Sequence, residues 1–185
     1  MDNMVRELLN LSLLESGMFQ MNLSRFDVGE LVQKVIDRFE RIFVEKGITL
    51  DLFHQKNLIV VADYELLERA INNYVTNAIN HIEGQKLIRV VAEKKGSSIR
   101  VSVFNTGKPI PIDDLPHIWD VFYKVDKARS RQYGGHGLGL SIVRMIAELH
   151  GGIIGVENFN QGVLFFVEIP SMSDSPLGLP ALAGR

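Results

Sequence analysis

The chain has 185 residues, a formal net charge of −2, 46% hydrophobic residues and no cysteine. That is enough apolar material for one main domain with a short appendage. The missing cysteines exclude a disulfide framework and a thiolate metal site, and the small net charge gives no argument for nucleic acid. No apolar run approaches the roughly 18 residues of a membrane span, and the N-terminus lacks a signal-peptide pattern, so the chain reads as cytoplasmic.

Residues 1–17 place Met4, Val5, Leu8, Leu9, Leu11 and Leu14 on one side of a short helix that is too short to stand alone. Residues 18–26 read as a linker, and the main domain is expected over 27–170. Residues 28–46 predict an amphipathic helix with Val28, Leu31, Val32, Val35, Ile36, Phe39, Ile42 and Phe43 on its apolar face. Asp27 and Glu30 make a capping-box-like start, and Gly47 ends it. Strands follow over 49–53 and 58–62, and Asp63 then caps the next helix.

That next helix carries the strongest chemical signal. Leu67, Ala70, Ile71, Tyr74, Val75, Ala78, Ile79 and Ile82 make an apolar stripe at helical spacing. On another side Asn73, Asn77, Asn80 and His81 fall at i, i+4, i+7 and i+8. Asn is up to about 0.7 kcal/mol worse than Ala in a helix interior, so Asn72, Asn73, Asn77 and Asn80 together cost on the order of 2 kcal/mol of propensity. A helix carrying that cost uses its amides. An amide oxygen is a neutral, hard ligand suited to a Mg²⁺ ion whose charge phosphates already balance; the alternative is a solvated polar face.

Strands are expected over 87–93 and 98–104. The second ends in Asn105, Thr106 and Gly107, a place to hold a base edge or an ordinary strand end before Pro109 and Pro111. Lys124, Lys127, Arg129 and Arg131 concentrate positive charge against Asp126. Glycines 134, 135, 137 and 139 then run into an apolar-periodic helix (Leu138, Ile142, Val143, Ile146, Ala147, Leu149). Such a loop lets backbone approach a ligand, and the helix's first N–H groups favour an anion. The spacing is neither a P-loop nor a dinucleotide fingerprint. Strands over 153–157 and 163–169 close the domain. Residues 171–185 read as a disordered or cloning-derived tail.

Taken in order, these motifs resemble the catalytic, ATP-binding domain of sensor histidine kinases, within the group that includes gyrase and MutL ATPases. Residues 73–78 resemble the N box, 105–107 the first glycine box, Trp119 to Tyr123 the F box, and 135–140 the second glycine box. Asn160, Gln161 and Gly162 before Phe165 resemble the last glycine-containing turn. The resemblance covers roughly residues 1–170. It implies an α/β two-layer sandwich of the Bergerat type, a mixed sheet packed on helices. It implies ATP and Mg²⁺ as cofactors, with Asn77 the direct metal ligand and Asn73 acting through water. It also implies nucleotide contacts from Asn73, Asn77, Asn80, His81, Asn105, Gly107, Ile110, Phe122, Tyr123, Lys124, Arg131, Gly135, His136, Gly137, Leu138, Gly139 and Leu140. Residues 124–137 would be a lid over the triphosphate, mobile without nucleotide.

The chain departs from the family at named positions. Asn105 stands where an adenine-reading Asp is usual, Pro109 where a second glycine is usual, and Asn80 and His81 where a Lys and an aromatic are common. In the superfamily's ATPases a Glu one turn before the metal-binding Asn polarises the attacking water; here that position is Asn73, which cannot act as a general base. Residues 1–17 resemble the end of the second helix of a dimerisation bundle. His54, His81, His117, His136 and His150 all lack a following Asp or Glu, so the acceptor His is expected on a bundle outside this chain, and no catalytic residue is assigned within it. The expected function is transfer of the ATP γ-phosphate to that His, with a response regulator downstream and a membrane-anchored parent. A nucleotide-binding docking module without kinase activity, or a protein Ser kinase of the anti-sigma type, are the other readings.

Overall fold

The computed structural model describes residues 20–125 and 137–171. The expected helix over 1–17, most of the expected lid and the tail lie outside the described residues.

The first element corrects the sequence reading. Part of the expected linker is a strand, β1 (Leu23–Asp27), paired antiparallel with β3 (Ile59–Asp63) from Leu23↔Asp63 to Asp27↔Ile59. Five residues without clear alternation carry little strand signal, and the strand exists because its partner does. The Asn22 N–H donates to the Asp63 carboxylate at 2.8 Å, and Phe26 meets Tyr64 edge-on with ring centroids 5.1 Å apart.

The expected helix over 28–46 is interrupted. It consists of α1 (Val28–Asp37) and α2 (Glu40–Lys46). Between them Arg38 N–H donates to Val35 C=O at 3.2 Å and Phe39 N–H to Ile36 C=O at 2.9 Å, i→i+3 bonds that tighten the turn. Asp27 caps α1 by accepting from Gly29 N–H at 2.7 Å, and Gly47 ends α2 in the left-handed region at φ 63°.

The remaining elements are β2 (Thr49–His54), α3 (Tyr64–His81), β4 (Leu87–Lys95), β5 (Ser98–Thr106), α4 (Gly139–Leu149), β6 (Ile153–Phe159) and β7 (Gly162–Pro170). Five strands form one sheet in the order β2-β4-β5-β7-β6, with β2–β4 parallel and the other pairs antiparallel. The expected mixed sheet and two layers are therefore present.

Alternation along the strands decides which face is covered. Ile88, Val90 and Ala92 of β4, Val101 and Val103 of β5, and Val163, Phe165 and Val167 of β7 are buried, as are Val32 and Val35 of α1, Leu67, Ile71 and Val75 of α3, and Ile142 and Ile146 of α4. All belong to one core. On the other face the Arg100 guanidinium lies 3.9 Å from the centre of the Phe166 ring. Tyr74 anchors α3 to the sheet: its hydroxyl donates to Phe166 C=O at 2.9 Å, and its ring lies 5.7 Å from Phe165. Burial pushes the Tyr74 phenol far above its ordinary pKa. Among the described residues no helix is long and apolar enough to cross a membrane.

Candidate functional site

The asparagine-bearing helix α3 starts where Asp63 accepts from Leu66 N–H at 3.1 Å. Asp63 is itself held from behind: its N–H donates to His150 Nε2 at 3.0 Å, and His150 Nδ1–H donates to Ile146 C=O at 2.7 Å. The end of α4 therefore fixes the beginning of α3. The amides then divide. Asn72 turns back on Glu68 C=O at 2.9 Å, a local bond that takes it out of play. Asn73 reaches across to Gly139 C=O at 3.2 Å. Asn77 and Asn80 are half-buried, and His81, the last residue of the helix, is exposed.

Gly139 opens α4, and this helix begins unlike α1 and α3. Its N-cap residue Leu138 makes no side-chain cap, its first turn has no acidic residue, and the Ser141 hydroxyl donates back to Leu138 C=O at 2.9 Å. Among the described residues the first-turn N–H groups thus have no side-chain partner, the arrangement that accepts an anion. Leu138 and Ser141 are buried and Leu140 half-buried. A Cβ on Gly137 would stand 2.9 Å from the carbonyl carbon of Phe122, and its φ is +72°. Phe122 N–H donates to Gly137 C=O at 3.0 Å while Phe122 itself sits at φ 67°. A left-handed aromatic residue is a strained position. It holds the expected F box against the glycine loop.

The third part gathers at the end of β5. Asn105 is 3% exposed. Its amide nitrogen lies 3.2 Å from Thr106 C=O and 3.5 Å from His81 C=O. A Cβ on Gly107 would meet that same His81 oxygen at 2.6 Å, so only glycine fits. Gly107 N–H donates to Gln161 C=O at 3.0 Å. Thr106 Oγ1 donates to Glu83 C=O at 2.8 Å and accepts from Leu87 N–H at 3.0 Å.

The loop that follows is held by residues the sequence reading did not name. Asn158 accepts from Ile110 N–H at 3.0 Å and donates to Ile110 C=O at 2.7 Å. The Tyr123 hydroxyl donates to the Asp114 carboxylate. That hydrogen bond, then desolvation and the negative charges of Asp114 and Asp120, raise the Tyr123 pKa above the ordinary phenol value. Asn158, Asp114 and His150 carry no periodicity or spacing signal. An Asn at a strand end beside a turn is the one hint available for Asn158.

The structure thus joins Asn73 to Gly139, His81 to Asn105 and Gly107, and Phe122 to Gly137. Lys124 is half-buried. Arg131, Gly135 and His136 lie outside the described residues. A cavity of about 430 Å³ borders Gly107, Lys108, Glu83 and Gln161, and a groove of about 360 Å³ runs between Trp119, Arg144 and Ile153. Neither borders Asn73 or Asn77, so the site is recognised by its donors and not by a closed cavity. Among the described residues no group of three His, Cys, Asp or Glu is placed to hold a metal.

An asparagine helix is thus tied to the start of α4 and stands beside a buried strand-end amide, and comparison with known proteins shows which family carries this fold. The family model for histidine kinase-, DNA gyrase B-, and HSP90-like ATPases matches residues 62–173. The chain belongs to this family. It is 32% identical over 174 residues to the sensor-like histidine kinase SenX3 of Mycobacterium tuberculosis (strain ATCC 25618 / H37Rv), covering 94% of this chain and 42% of SenX3. The catalytic domain of histidine kinase ThkA, in a nucleotide-free form, is 34% identical with a TM-score of 0.73, covering 82% of this chain and 97% of that one. ThkA in complex with the response regulator protein TrrA is 29% identical with a TM-score of 0.71, covering 91% of this chain and 49% of that one. Full-length ShkA in complex with AMPPNP is 26% identical with a TM-score of 0.80, covering 94% of this chain and 36% of that one. The chain is thus an ATP-binding catalytic domain of the sensor histidine kinase type, and it spans less than half the length of SenX3.

Proposed function

We propose that this domain binds ATP with Mg²⁺ and presents the γ-phosphate to a histidine carried on a two-helix bundle of the parent kinase. The observation that carries the reading is the Asn73 to Gly139 bond, which sets the amide face of α3 beside the uncapped start of α4. One element offers neutral oxygen ligands and the other backbone N–H donors, the two things a metal–triphosphate needs.

The donor set fits the metal. The Asn73 amide nitrogen is committed to Gly139, which leaves its oxygen as the ligand-facing atom. Asn77 stands one turn later on the same side, so Asn77 would hold Mg²⁺ directly and Asn73 through water. Bound there, Mg²⁺ supplies charge neutralisation at the phosphates. The α4 amides receive phosphate oxygens. Phe122, Tyr123 and Lys124 would wall this end of the site, Arg131, Gly135 and His136 lie outside the described residues and are carried as nucleotide contacts by the family resemblance alone, and Ile110, held by Asn158, would line the base end. Asn80 and His81 flank the phosphates from the last turn of α3.

The position one turn before the metal-binding amide is Asn73, which cannot act as a general base for water. The domain therefore acts by positioning and charge neutralisation and leaves nucleophilic attack to the acceptor histidine. A response regulator would receive the phosphoryl group next, and the parent would be anchored in a membrane to sense its signal.

The test is incubation with γ-labelled ATP, alone and with a His-bearing two-helix bundle from a related sensor kinase. Acid-labile, base-stable label should appear on the bundle and none on this chain, without steady phosphate release. Steady release, or label on one of this chain's own histidines, overturns the reading.

A further inference from the structure

We propose that Asp63 and His150 are positioning residues for the metal–nucleotide, a role that rests on the ATP reading above. Neither side chain is a nucleotide contact; both act through α3 and α4. Through the Asp63 carboxylate, nucleotide affinity also depends on the segment that leads into β1.

Three parts of the chain meet on Asp63. One carboxylate oxygen accepts from Leu66 N–H at 3.1 Å and caps α3, and the other accepts from Asn22 N–H at 2.8 Å, just before β1. The Asp63 N–H donates to His150 Nε2 at 3.0 Å, and the other ring nitrogen of His150 holds Ile146 C=O at 2.7 Å, at the end of α4. His150 thus uses one ring nitrogen as acceptor and the other as donor. Asp63 is only 4% exposed, so a bond lost here leaves a buried polar group without a partner.

This junction and the Asn73–Gly139 bond are spaced alike on both helices. Asp63 stands ten residues before Asn73, and His150 eleven residues after Gly139, rises of about 15 and about 16 Å. The helices run antiparallel with nearly equal spans between two ties. A single tie would leave sliding and rotation to apolar packing, which is non-directional. Two ties at matched spacing fix where Asn73 and Asn77 stand against the first turn of α4. The cap of α1 supplies the contrast. Asp27 accepts from Gly29 N–H at 2.7 Å with one oxygen and from Leu58 N–H at 3.2 Å with the other. The pattern is the same, but α1 carries no nucleotide contact.

The experiment titrates AMPPNP with Mg²⁺ into the unmodified chain and into D63N, D27N, H150F and H150Q, each well below its melting temperature, which is also recorded. D63N and D27N both keep an amide oxygen for the cap and set an NH₂ against the second N–H donor, so both should melt lower. Only D63N should bind AMPPNP more weakly, by about fivefold, with D27N within about twofold of the unmodified chain. H150F keeps a ring, loses both hydrogen bonds and should bind about fivefold more weakly. The H150Q amide again offers an acceptor and a donor and should recover to within about twofold. A bond that favours nucleotide is in turn strengthened by nucleotide, so AMPPNP with Mg²⁺ should slow hydrogen exchange at Asn22 N–H by about fivefold in the unmodified chain and not in D63N. D63N binding as tightly as the unmodified chain, D27N losing as much affinity as D63N, or H150Q binding as weakly as H150F overturns the positioning role. Exchange at Asn22 that ignores nucleotide overturns the link to the segment before β1. An unmodified chain that binds no AMPPNP overturns the ATP reading itself and the positioning role with it, a result distinct from variants that bind as the unmodified chain does.

Discussion

The side-chain amide of Asn73 donates to the main-chain carbonyl of Gly139 at 3.2 Å, 66 residues away in sequence. The bond ties the middle of α3 to the first residue of α4, at a distance where even a Cβ on Gly139 would make only ordinary van der Waals contact with the Asn73 side chain, at 3.7 Å. The two helices that carry the asparagine face and the glycine-started turn are thereby joined by one side-chain contact.

Asn73→Ala and Asn77→Ala form a matched pair. Each gains up to about 0.7 kcal/mol of helix propensity, but only the first breaks the link to Gly139, worth about 1 kcal/mol. Asn73→Ala should therefore melt about 2–4 °C below Asn77→Ala. Equal melting temperatures would show that the link contributes nothing to stability.

Asn77→Ala should lose the Mg²⁺ dependence of ATP affinity while keeping its fold. Calorimetric titration with and without Mg²⁺, alongside circular dichroism, measures both. A folded variant that still binds ATP more tightly with Mg²⁺ removes Asn77 as the metal ligand.

Gly137→Ala should cost more than Gly84→Ala. Both glycines have positive φ, +72° and +64°, but a Cβ at Gly84 meets nothing within 4 Å, whereas at Gly137 it meets the Phe122 backbone at 2.9 Å. Left-handed backbone costs roughly 1–2 kcal/mol for an alanine in either case. The excess at Gly137 measures the contact with the F box, and it should appear as weaker nucleotide binding as well as a lower melting point.

The Tyr74 phenol predicts an alkaline limit. Burial raises its pKa in the folded chain, while the unfolded chain titrates near about 10. The folded state then keeps a proton that the unfolded state releases, so this contribution is complete below about pH 10 and is lost as pH rises above it. Tyr74→Phe should be about 1 kcal/mol less stable at neutral pH, because Phe166 C=O loses its donor. Urea titrations should show the gap narrowing above about pH 10. A gap that stays constant would mean the phenol ionises without unfolding.

Local chemistry was readable from the sequence alone because it acts within a few residues. Helical spacing of Leu67 to Ile79, the caps at Asp27 and Asp63, the left-handed Gly47 and the alternation in β4, β5 and β7 specify elements and faces wherever the chain goes next. The same locality made the asparagine face and the glycine loop conspicuous as candidate ligands. What needed the tertiary structure was every choice among long-range partners. β1 is a strand because β3 lies beside it, and the helix over 28–46 divides at a tightened turn around Arg38 and Phe39. Asn72 and Asn73 are adjacent and chemically identical, yet one bonds its own helix and the other bonds α4. Asn105 reads in sequence as a neutral amide where the family resemblance expects an Asp. In the fold its amide nitrogen lies 3.2 Å from Thr106 C=O and 3.5 Å from the His81 carbonyl, a neighbour that only folding brings near.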